Sequence, residues 1–252
     1  MSRVKILSIP LDRVTKAQAL DKIKTFIDSG QPHQVTTVNP EFIVEAQTNS
    51  EFRSILQKAD LSLADGFGAT VAARYLGQPL PERIPGADFV DDLMNQAAHN
   101  HWKVFLLGGQ SGVAALAAQK LKQRYPNLVI VGAHEGIIIE YKHNSYLFND
   151  RETTKLIDSI VLKKPDILLV AFGAPKQDIF ISRYKTQLNI PVMIGVGGTF
   201  DFIAGKIKRA PTLFRNLGLE WLWRLIQEPK RFKRIYKAVI LFSLKVILSP
   251  KT

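Results

Sequence analysis

Asp65 is the residue of this sequence best placed for acid–base chemistry. It follows the short apolar run Leu61–Ala64 and precedes Gly66, where the chain must turn sharply into the next predicted helix. A carboxylate at the carboxyl end of a strand, in a partly desolvated loop, can accept a proton from a bound hydroxyl group. Aspartate is equally common as a helix cap. Position alone therefore leaves two roles open for Asp65, a general base and a helix cap.

Polar side chains also end the preceding predicted strand. Thr36, Thr37 and Asn39 stand immediately before Pro40, which opens the next helix. Their hydroxyl and amide groups suit hydrogen bonds to a sugar or a phosphate, and they could equally be helix caps. Arg83 lies in the proline-rich segment PERIPG between two helices, where an arginine is usually exposed to solvent. These residues are candidates for substrate binding, and their structural alternatives stay open.

A glycine-rich turn follows another apolar run. Gly108 and Gly109 lead through Gln110 and Ser111 to Gly112, at the predicted start of a helix. A helix N-terminus reached through such a turn is a natural seat for a phosphate group. Compact strand-to-helix turns need glycine in any case, so the turn alone is weak evidence for a ligand.

Several familiar site classes are missing from the sequence. There is no cysteine, which excludes disulfides, thiolate metal sites and cysteine nucleophiles. Neither the dinucleotide-binding pattern G-x-G-x-x-G nor a Walker A pattern occurs. The pattern Asp-x-Asp, a common metal clamp for sugar nucleotides, is absent as well. We therefore expect chemistry without a thiol and without a metal or another cofactor.

Positive charge is concentrated at the C-terminal end of the chain. The net charge is +12, and residues 203–252 carry twelve Lys or Arg residues against two acidic ones. The first 202 residues are nearly balanced, with 22 basic and 20 acidic residues. Such asymmetry indicates an anionic partner for the C-terminal segment. The charge lies next to aliphatic residues, which favours an anionic membrane surface over nucleic acid.

The elements that must position these residues follow an alternating pattern. Short apolar runs separated by amphipathic stretches predict an α/β fold, Rossmann-like in layering, with a mostly parallel sheet and helices on both faces. In such sheets, ligands bind at the loops that leave the carboxyl ends of the strands. The predicted strands are 4–9, 34–38, 61–64, 103–107, 128–131, 166–171 and 192–196. The predicted helices are 15–29, 40–58, 67–76, 87–100, 111–124, 151–163 and 176–189.

The chain divides at residue 205 into a predicted Rossmann-like catalytic core, 1–205, and a basic helical appendage, 206–252, called the tail below. Predicted helices cover 213–227 and 230–248 of the tail, and the second begins KRFKRIYK and continues AVILFSLKVIL. Its apolar part is about half of the roughly 20 residues that a membrane span needs. Basic residues beside an aliphatic end are typical of a helix that lies on anionic lipid. Docking on a partner subunit is the alternative.

A series of short motifs resembles one enzyme family. In chain order the motifs are TTVNPEF, ADGFG, ERIPGADF, FLLGGQSG, LVAFGAPKQ, GVGGTFD, KRAP and GLEWLWRLIQEPKRFKR. They are similar, from about residue 4 to residue 234, to the WecG/TagA/CpsF glycosyltransferases, glycosyltransferase family 26. The resemblance implies inverting, metal-independent transfer from a UDP-sugar, often UDP-N-acetylmannosamine or its uronic acid, to undecaprenyl-diphosphate-linked N-acetylglucosamine. Transfer of another UDP-hexose in exopolysaccharide synthesis is the alternative within the family.

The resemblance also implies roles for individual residues. Asp65 matches the proposed general base of the family, and Arg83 matches an arginine required for activity. Substrate-binding positions correspond to Thr37, Asn39 and Gln177. Three arginines of the tail match residues proposed to close over the nucleotide: Arg224, Arg231 and Arg234. Asp178 stands where many relatives have Glu, which is a conservative difference.

The resemblance further implies an enzyme of cell-wall, teichoic acid or exopolysaccharide synthesis that is cytoplasmic and peripheral on the inner face of the cell membrane. Its expected partners are the UDP-sugar donor, the polyprenyl-diphosphate-linked acceptor and the anionic membrane surface, without nucleic acid. A nicotinamide-dependent dehydrogenase would share the layering but lacks the glycine pattern. The oligomeric state is open, and a homo-oligomer is compatible with the sequence.

Overall fold

The structure, a computed structural model, describes residues 2–142 and 145–249, except for the side chains of Asn216 and Arg231. Ten strands lie in the described chain. They are β1 (Arg3–Ile6), β2 (Ile9–Asp12), β3 (His33–Val38), β4 (Leu61–Ala64), β5 (Lys103–Gly108), β6 (Val129–His134), β7 (Ile139–Lys142), β8 (Ser145–Phe148), β9 (Ile167–Ala171) and β10 (Val192–Gly195).

Thirteen α-helices complete the described chain. They are α1 (Lys16–Ser29), α2 (Pro40–Thr48), α3 (Ser50–Lys58), α4 (Phe67–Tyr75), α5 (Gly86–Asn100), α6 (Val113–Arg124), α7 (Asp150–Val161), α8 (Lys176–Leu188), α9 (Thr199–Ile203), α10 (Thr212–Asn216), α11 (Glu220–Gln227), α12 (Phe232–Tyr236) and α13 (Phe242–Leu248). A 3₁₀ turn, Pro229–Arg231, precedes α12, and a π-helical turn, Lys237–Leu241, joins α12 to α13.

Two predicted helices are divided in the structure. The predicted helix 40–58 is α2 followed by α3, because Asn49 ends one helix and accepts a hydrogen bond from the backbone N–H of Phe52 to begin the next. Asparagine is a strong N-cap, so a new helix can start within an unbroken apolar pattern. The predicted helix 213–227 is likewise divided, with Gly218 at a φ of +72° between α10 and α11.

Six strands form the main sheet in the order β4-β3-β10-β9-β5-β6. Strand β10 pairs in parallel with both β3 and β9, and β5 pairs in parallel with both β9 and β6. Every residue of β9 and β10 is buried, which is typical of parallel strands covered on both faces. The predicted α/β class with a parallel sheet flanked by helices is confirmed.

Two antiparallel hairpins lie outside the main sheet, and the sequence predicted neither. The predicted strand 4–9 is wrong: Leu7 and Ser8 have φ values of 47° and 69° and form a tight turn between β1 and β2. A turn with both central residues at positive φ usually contains glycine or asparagine, so this one was hidden within an apolar run. The second hairpin pairs β7 with β8, and most of its side chains are partly or fully exposed.

The chain forms two compact units. The first unit contains Met1–Ala19, Thr37–Pro85 and Ile207–Thr252, and the second contains Leu20–Thr36 and Gly86–Lys206. Each has its own apolar core, with Phe52 and Leu56 fully buried in the first unit and Phe180 fully buried in the second. The tail, except for Lys206, thus belongs to the same unit as Asp65. A division of the chain into a core of 1–205 and an appendage of 206–252 stays a prediction.

Candidate active site

The ends of β3 and β4 bring the polar residues of two loops together in the first unit. The backbone N–H of Asp65 donates to the carbonyl of Val38 at 2.9 Å, so the two strands finish side by side. Thr37, the second-last residue of β3, is 6% exposed. The half-buried Asp65 therefore follows β4 directly beside the residues that end β3.

The turn after Asp65 packs closely on the start of α2. Gly66 has a φ of +125°, and a Cβ atom there would lie 3.0 Å from Cδ of Pro40 and 3.5 Å from Cβ of Asn39. Only glycine adopts this backbone conformation easily and leaves room for the neighbouring loop. The local geometry therefore holds Asp65 next to Asn39.

Asp65 and Asn39 differ in their position relative to the helix that follows each of them. Gly66, not Asp65, is the N-cap residue of α4. Asn39 does cap α2, because its Oδ1 accepts the backbone N–H of Phe42 at 3.0 Å. The side-chain oxygen of Asn39 thus has a structural role. Its amide nitrogen is the group that could donate to a ligand. Asp65 lies one residue before the N-cap of α4.

Arg83 lies beside the same loop. The backbone N–H of Ile84 donates to the carbonyl of Ala64 at 2.9 Å, and the side chain of Ile84 is 1% exposed. The PERIPG segment is thereby fixed along the end of β4, one residue from Asp65. Arg83 itself is half-buried, and a guanidinium group offers the positive charge and the rigid set of donors that suit a phosphate group.

The tail packs on the two helices that begin at these loops. Arg234 Nε donates to Glu41 Oε1 at 2.6 Å, and Lys237 Nζ lies 3.1 Å from Glu45 Oε2, so both tail residues meet α2. Phe242 is 3% exposed and lies against Gly68 of α4, where a Cβ atom would be 3.6 Å from the phenylalanine ring. The terminal helices are therefore a packed part of the first unit.

The tail arginines have different surroundings. Arg234 is held by Glu41 in a partly exposed ion pair. Arg224 is half-buried on α11, a helix tied to the KRAP segment by Trp223 and Gln227, whose side chains both donate to the carbonyl of Lys208. Arg231 belongs to the 3₁₀ turn, and its side chain lies outside what the structure describes. Their proposed closure over a nucleotide stays a prediction.

The glycine-rich turn of the second unit has a packing reason for its composition. Gly108 has a φ of +105°, and a Cβ atom there would be 2.7 Å from the carbonyl carbon of Ala171 at the end of β9. Gly109 donates its backbone N–H to the same residue at 3.0 Å. The close approach of β9 explains Gly108, and a φ of +88° beside Val113 explains Gly109, so a phosphate at the following α6 N-terminus stays a prediction.

Gln177 and Asp178 form a buried polar cluster at the start of α8, also in the second unit. Gln177 is 1% exposed and accepts the backbone N–H of Gly197 at 2.9 Å through its Oε1. The backbone carbonyl of Asp178 accepts from Gln34 Nε2 at 3.0 Å. Burial raises the pKa of the fully buried Asp178 carboxyl from 3.8 to about 7, although the Gln177 side chain partly offsets this rise.

Asp178 is the feature of this cluster that sequence reasoning missed. In the sequence, Asp178 is only a conservative difference from relatives, and helical periodicity gives no sign that its carboxyl group is buried. The loop Gly195–Gly197 explains the burial, because a Cβ atom on Gly195 would be 2.5 Å from Gln177 Nε2 and 3.0 Å from Asp178 Oδ1. A glycine-rich segment after an apolar strand is the only sequence signal for such close packing.

The predicted site residues thus fall into two sets. The first unit brings Asp65, Thr37, Asn39 and Arg83 to one strand edge and packs the tail on the adjoining helices. The second unit contains the remaining predicted residues: Gly108, Gly109 and Gln177. Within residues 2–142 and 145–249, no group of three or more His, Asp or Glu side chains is arranged to hold a metal ion. None of the described helices is both long enough and apolar enough to cross a membrane.

Comparison with known proteins assigns the family. The profile described as "Glycosyl transferase WecG/TagA/CpsF family" matches residues 4–252. Two similar proteins come from Staphylococcus aureus strains MW2 and NCTC 8325 / PS 47, and each is 36% identical over 247 residues, 97% of this chain and 92% of the relative. Both are named N-acetylglucosaminyldiphosphoundecaprenol N-acetyl-beta-D-mannosaminyltransferase. The match confirms the predicted resemblance and enzyme class, and the chain belongs to the WecG/TagA/CpsF family of glycosyltransferases.

Proposed function

We propose that this enzyme transfers N-acetylmannosamine, or its uronic acid, from a UDP-sugar to undecaprenyl-diphosphate-linked N-acetylglucosamine. The names of its S. aureus relatives support both the sugar and the acceptor. The observation that carries the proposal is the meeting of the Asp65, Asn39 and Arg83 loops at the ends of β3 and β4. Such a reaction serves the synthesis of teichoic acid or another surface polysaccharide.

Asp65 is the proposed general base. It takes the proton from an acceptor hydroxyl group, which we propose is O4 of N-acetylglucosamine, as that oxygen attacks C1 of the donor sugar. The new O–C1 bond forms on the face opposite UDP, and the bond between C1 and the diphosphate oxygen breaks. UDP leaves with the bonding electron pair, and a single displacement inverts the configuration at C1. The half-buried position of Asp65 at the carboxyl end of β4 supports this role.

Arginines are proposed to stabilise the negative charge of the departing UDP. Arg83 lies near Asp65, because the neighbouring Ile84 is hydrogen-bonded to the end of β4. The tail, which contains Arg224, Arg231 and Arg234, belongs to the same unit. Guanidinium groups stay charged at any relevant pH and match phosphate geometry. The Arg234–Glu41 pair is partly exposed, and such pairs are weak enough for a phosphate to replace the carboxylate.

The arginine proposal predicts activity without a divalent metal ion. We expect transfer to continue in excess EDTA, because the guanidinium groups supply the charge that a metal would otherwise provide. The measurement is turnover with and without EDTA on the same enzyme preparation. Loss of more than about 90% of turnover, restored by Mg²⁺ or Mn²⁺, would contradict the proposed role of the arginines.

The tail is also proposed to hold the enzyme at an anionic membrane surface. Exposed apolar side chains recur along it at close to four-residue spacing: Phe232, Tyr236, Ile240, Leu244 and Ile247. The opposite side carries the buried Phe242 and Val246, and Lys233 and Lys237 are exposed nearby. A helix with one packed face, one exposed apolar stripe and flanking lysines suits the interfacial region of a lipid bilayer.

Substitution is a better test of the tail than truncation, because deletion would remove the packed Phe242 and Val246 along with the exposed stripe. We expect the triple variant Phe232→Gln, Ile240→Gln and Leu244→Gln to lose binding to anionic vesicles while it keeps its melting temperature. Activity on a water-soluble acceptor should be unchanged. Full vesicle binding by the triple variant would favour the alternative in which this stripe docks on a partner subunit.

The substrate assignment is tested directly by a donor screen. UDP-N-acetylmannosamine, its uronic acid, UDP-N-acetylglucosamine and UDP-glucose are each offered with a short-chain lipid-diphosphate-N-acetylglucosamine acceptor, and the product masses are measured. We expect the mannosamine donors to give the fastest transfer. Preference for UDP-glucose would support instead the family alternative, in which another hexose is transferred.

A further inference from the structure

Helix α4 has an unusual distribution of side chains. Its largest apolar residues are exposed, with Phe67 at 46%, Val71 at 50% and Tyr75 at 43%, while its buried face consists of small ones, Ala69, Ala72 and Ala73. The three exposed residues are four apart, so they line one side of the helix. A contiguous apolar stripe on the surface, rather than scattered single residues, marks an interaction site.

The residue that follows α10 meets the start of α4 within the same unit. Gly218, which follows α10, lies against the ring of Phe67 so closely that any Cβ atom would overlap it. Leu213 is 66% exposed and Leu217 is 57% exposed on this segment. We call the exposed apolar residues of these two segments the α4–α10 surface, which consists of Phe67, Val71, Tyr75, Leu213 and Leu217.

The position of this surface suggests what covers it. Phe67 is two residues after Asp65, the proposed base, and α4 runs away from that loop for about 13 Å. In a lipid-linked acceptor the sugar comes first, the diphosphate second and the hydrocarbon third. When the acceptor sugar lies at Asp65, only the short diphosphate separates it from the first hydrocarbon units, and the exposed apolar side of α4 begins at Phe67. The polar loop at Asp65 followed by an apolar helix surface matches that order.

We propose that the α4–α10 surface binds the first isoprenoid units of the acceptor lipid. This inference rests on the proposed function and adds to it a binding surface distinct from the exposed stripe of α12 and α13. It gives the two apolar surfaces of the first unit separate tasks: the tail contacts the bilayer, and the α4–α10 surface contacts the substrate. Recognition of the lipid then depends on its chemistry and not only on membrane attachment.

The test uses two water-soluble acceptors that differ only in the lipid, methyl-diphosphate-N-acetylglucosamine and farnesyl-diphosphate-N-acetylglucosamine, without vesicles and below the micelle concentration. For the full-length double variant Val71→Gln and Leu213→Gln, we expect the KM for the farnesyl acceptor to rise about tenfold, as for the loss of one or two buried apolar contacts. The KM for the methyl acceptor should not change. Leu244→Gln on the tail is the matched control and should leave both values unchanged.

Two results would overturn this inference. The first is an equal effect, or no effect, of the double variant on both acceptors in an enzyme with an unchanged melting temperature. The second is a change in oligomeric state of the double variant by sedimentation velocity, which would identify the surface as a contact between copies of the chain. Failure of the wild-type enzyme to glycosylate either acceptor would instead contradict the proposed function itself.

Discussion

Asn39 and Asp65 stand at equivalent places in the first unit, yet the fold uses them differently. Each follows a strand of the main sheet and precedes a helix, and the strands β3 and β4 end side by side. Asn39 is the N-cap of α2 and caps it through its side chain, whereas the N-cap of α4 is Gly66. The preference for asparagine at N-cap positions accounts for Asn39, but it does not account for Asp65, which lies one residue before the N-cap.

The largest expected effect is on turnover, from Asp65→Asn. The substitution keeps the size of the side chain but removes the group that accepts a proton, so turnover should fall by roughly 10²–10⁴-fold. The melting temperature should stay the same, because asparagine keeps the shape of aspartate and caps helices about equally well. Rates and thermal unfolding of the variant would be measured beside Asp28→Asn, which removes an exposed carboxylate elsewhere in the chain. Near-normal turnover with a lowered melting temperature would assign Asp65 a structural role instead.

Asp178 extends the comparison to a carboxyl group that is sealed inside the second unit. Its pKa is raised from 3.8 to about 7, so the folded protein keeps this proton at pH values where the unfolded chain has lost it. Folding is therefore opposed increasingly as the pH rises from about 4 to 7, and the cost is constant above that range. The full difference corresponds to at most about 4 kcal/mol.

The second prediction is that Asp178→Asn flattens this part of the stability profile. An amide of the same shape carries no proton to lose, so the variant should gain stability relative to wild type between pH 5 and 8, by up to a few kcal/mol. Urea unfolding at several pH values measures the effect. Asp158→Asn removes an exposed carboxylate of the same unit and should leave the profile unchanged. Parallel profiles for wild type and Asp178→Asn would show that burial does not perturb this group.

The sequence predicted the location of the candidate site better than the tasks of its residues. Apolar runs followed by polar loops were sufficient to predict a parallel sheet and to place Asp65 and Asn39 at its edge. Whether a residue is the N-cap depends on the exact residue at which the helix begins, and the apolar pattern does not determine this to within one residue. The burial of Asp178 depends on the approach of the Gly195–Gly197 loop, and such long-range packing leaves little trace in local sequence.

The tail shows the same division between local and long-range information. Its charge and helical pattern were visible in the sequence, and the structure has helices over most of the predicted range. Its attachment to α2 and α4 was not visible, because Phe242 packs against the small Gly68 of a distant helix and Arg234 meets Glu41. The attachment of the tail therefore depends on residues that are distant in the sequence, which a local pattern cannot identify.

The smallest expected effects come from Asn39, whose capping and binding roles can be separated. Serine caps a helix about as well as asparagine but has no amide nitrogen, so Asn39→Ser should keep the free energy of unfolding while Asn39→Ala loses about 1 kcal/mol. If the amide nitrogen donates to substrate, both variants should raise KM to a similar extent, with kcat changed less than by Asp65→Asn. Urea unfolding and steady-state kinetics on the three proteins measure both roles. Recovery of stability and KM together in Asn39→Ser would show that Asn39 serves α2 alone, and the contrast with Asp65 would then be complete.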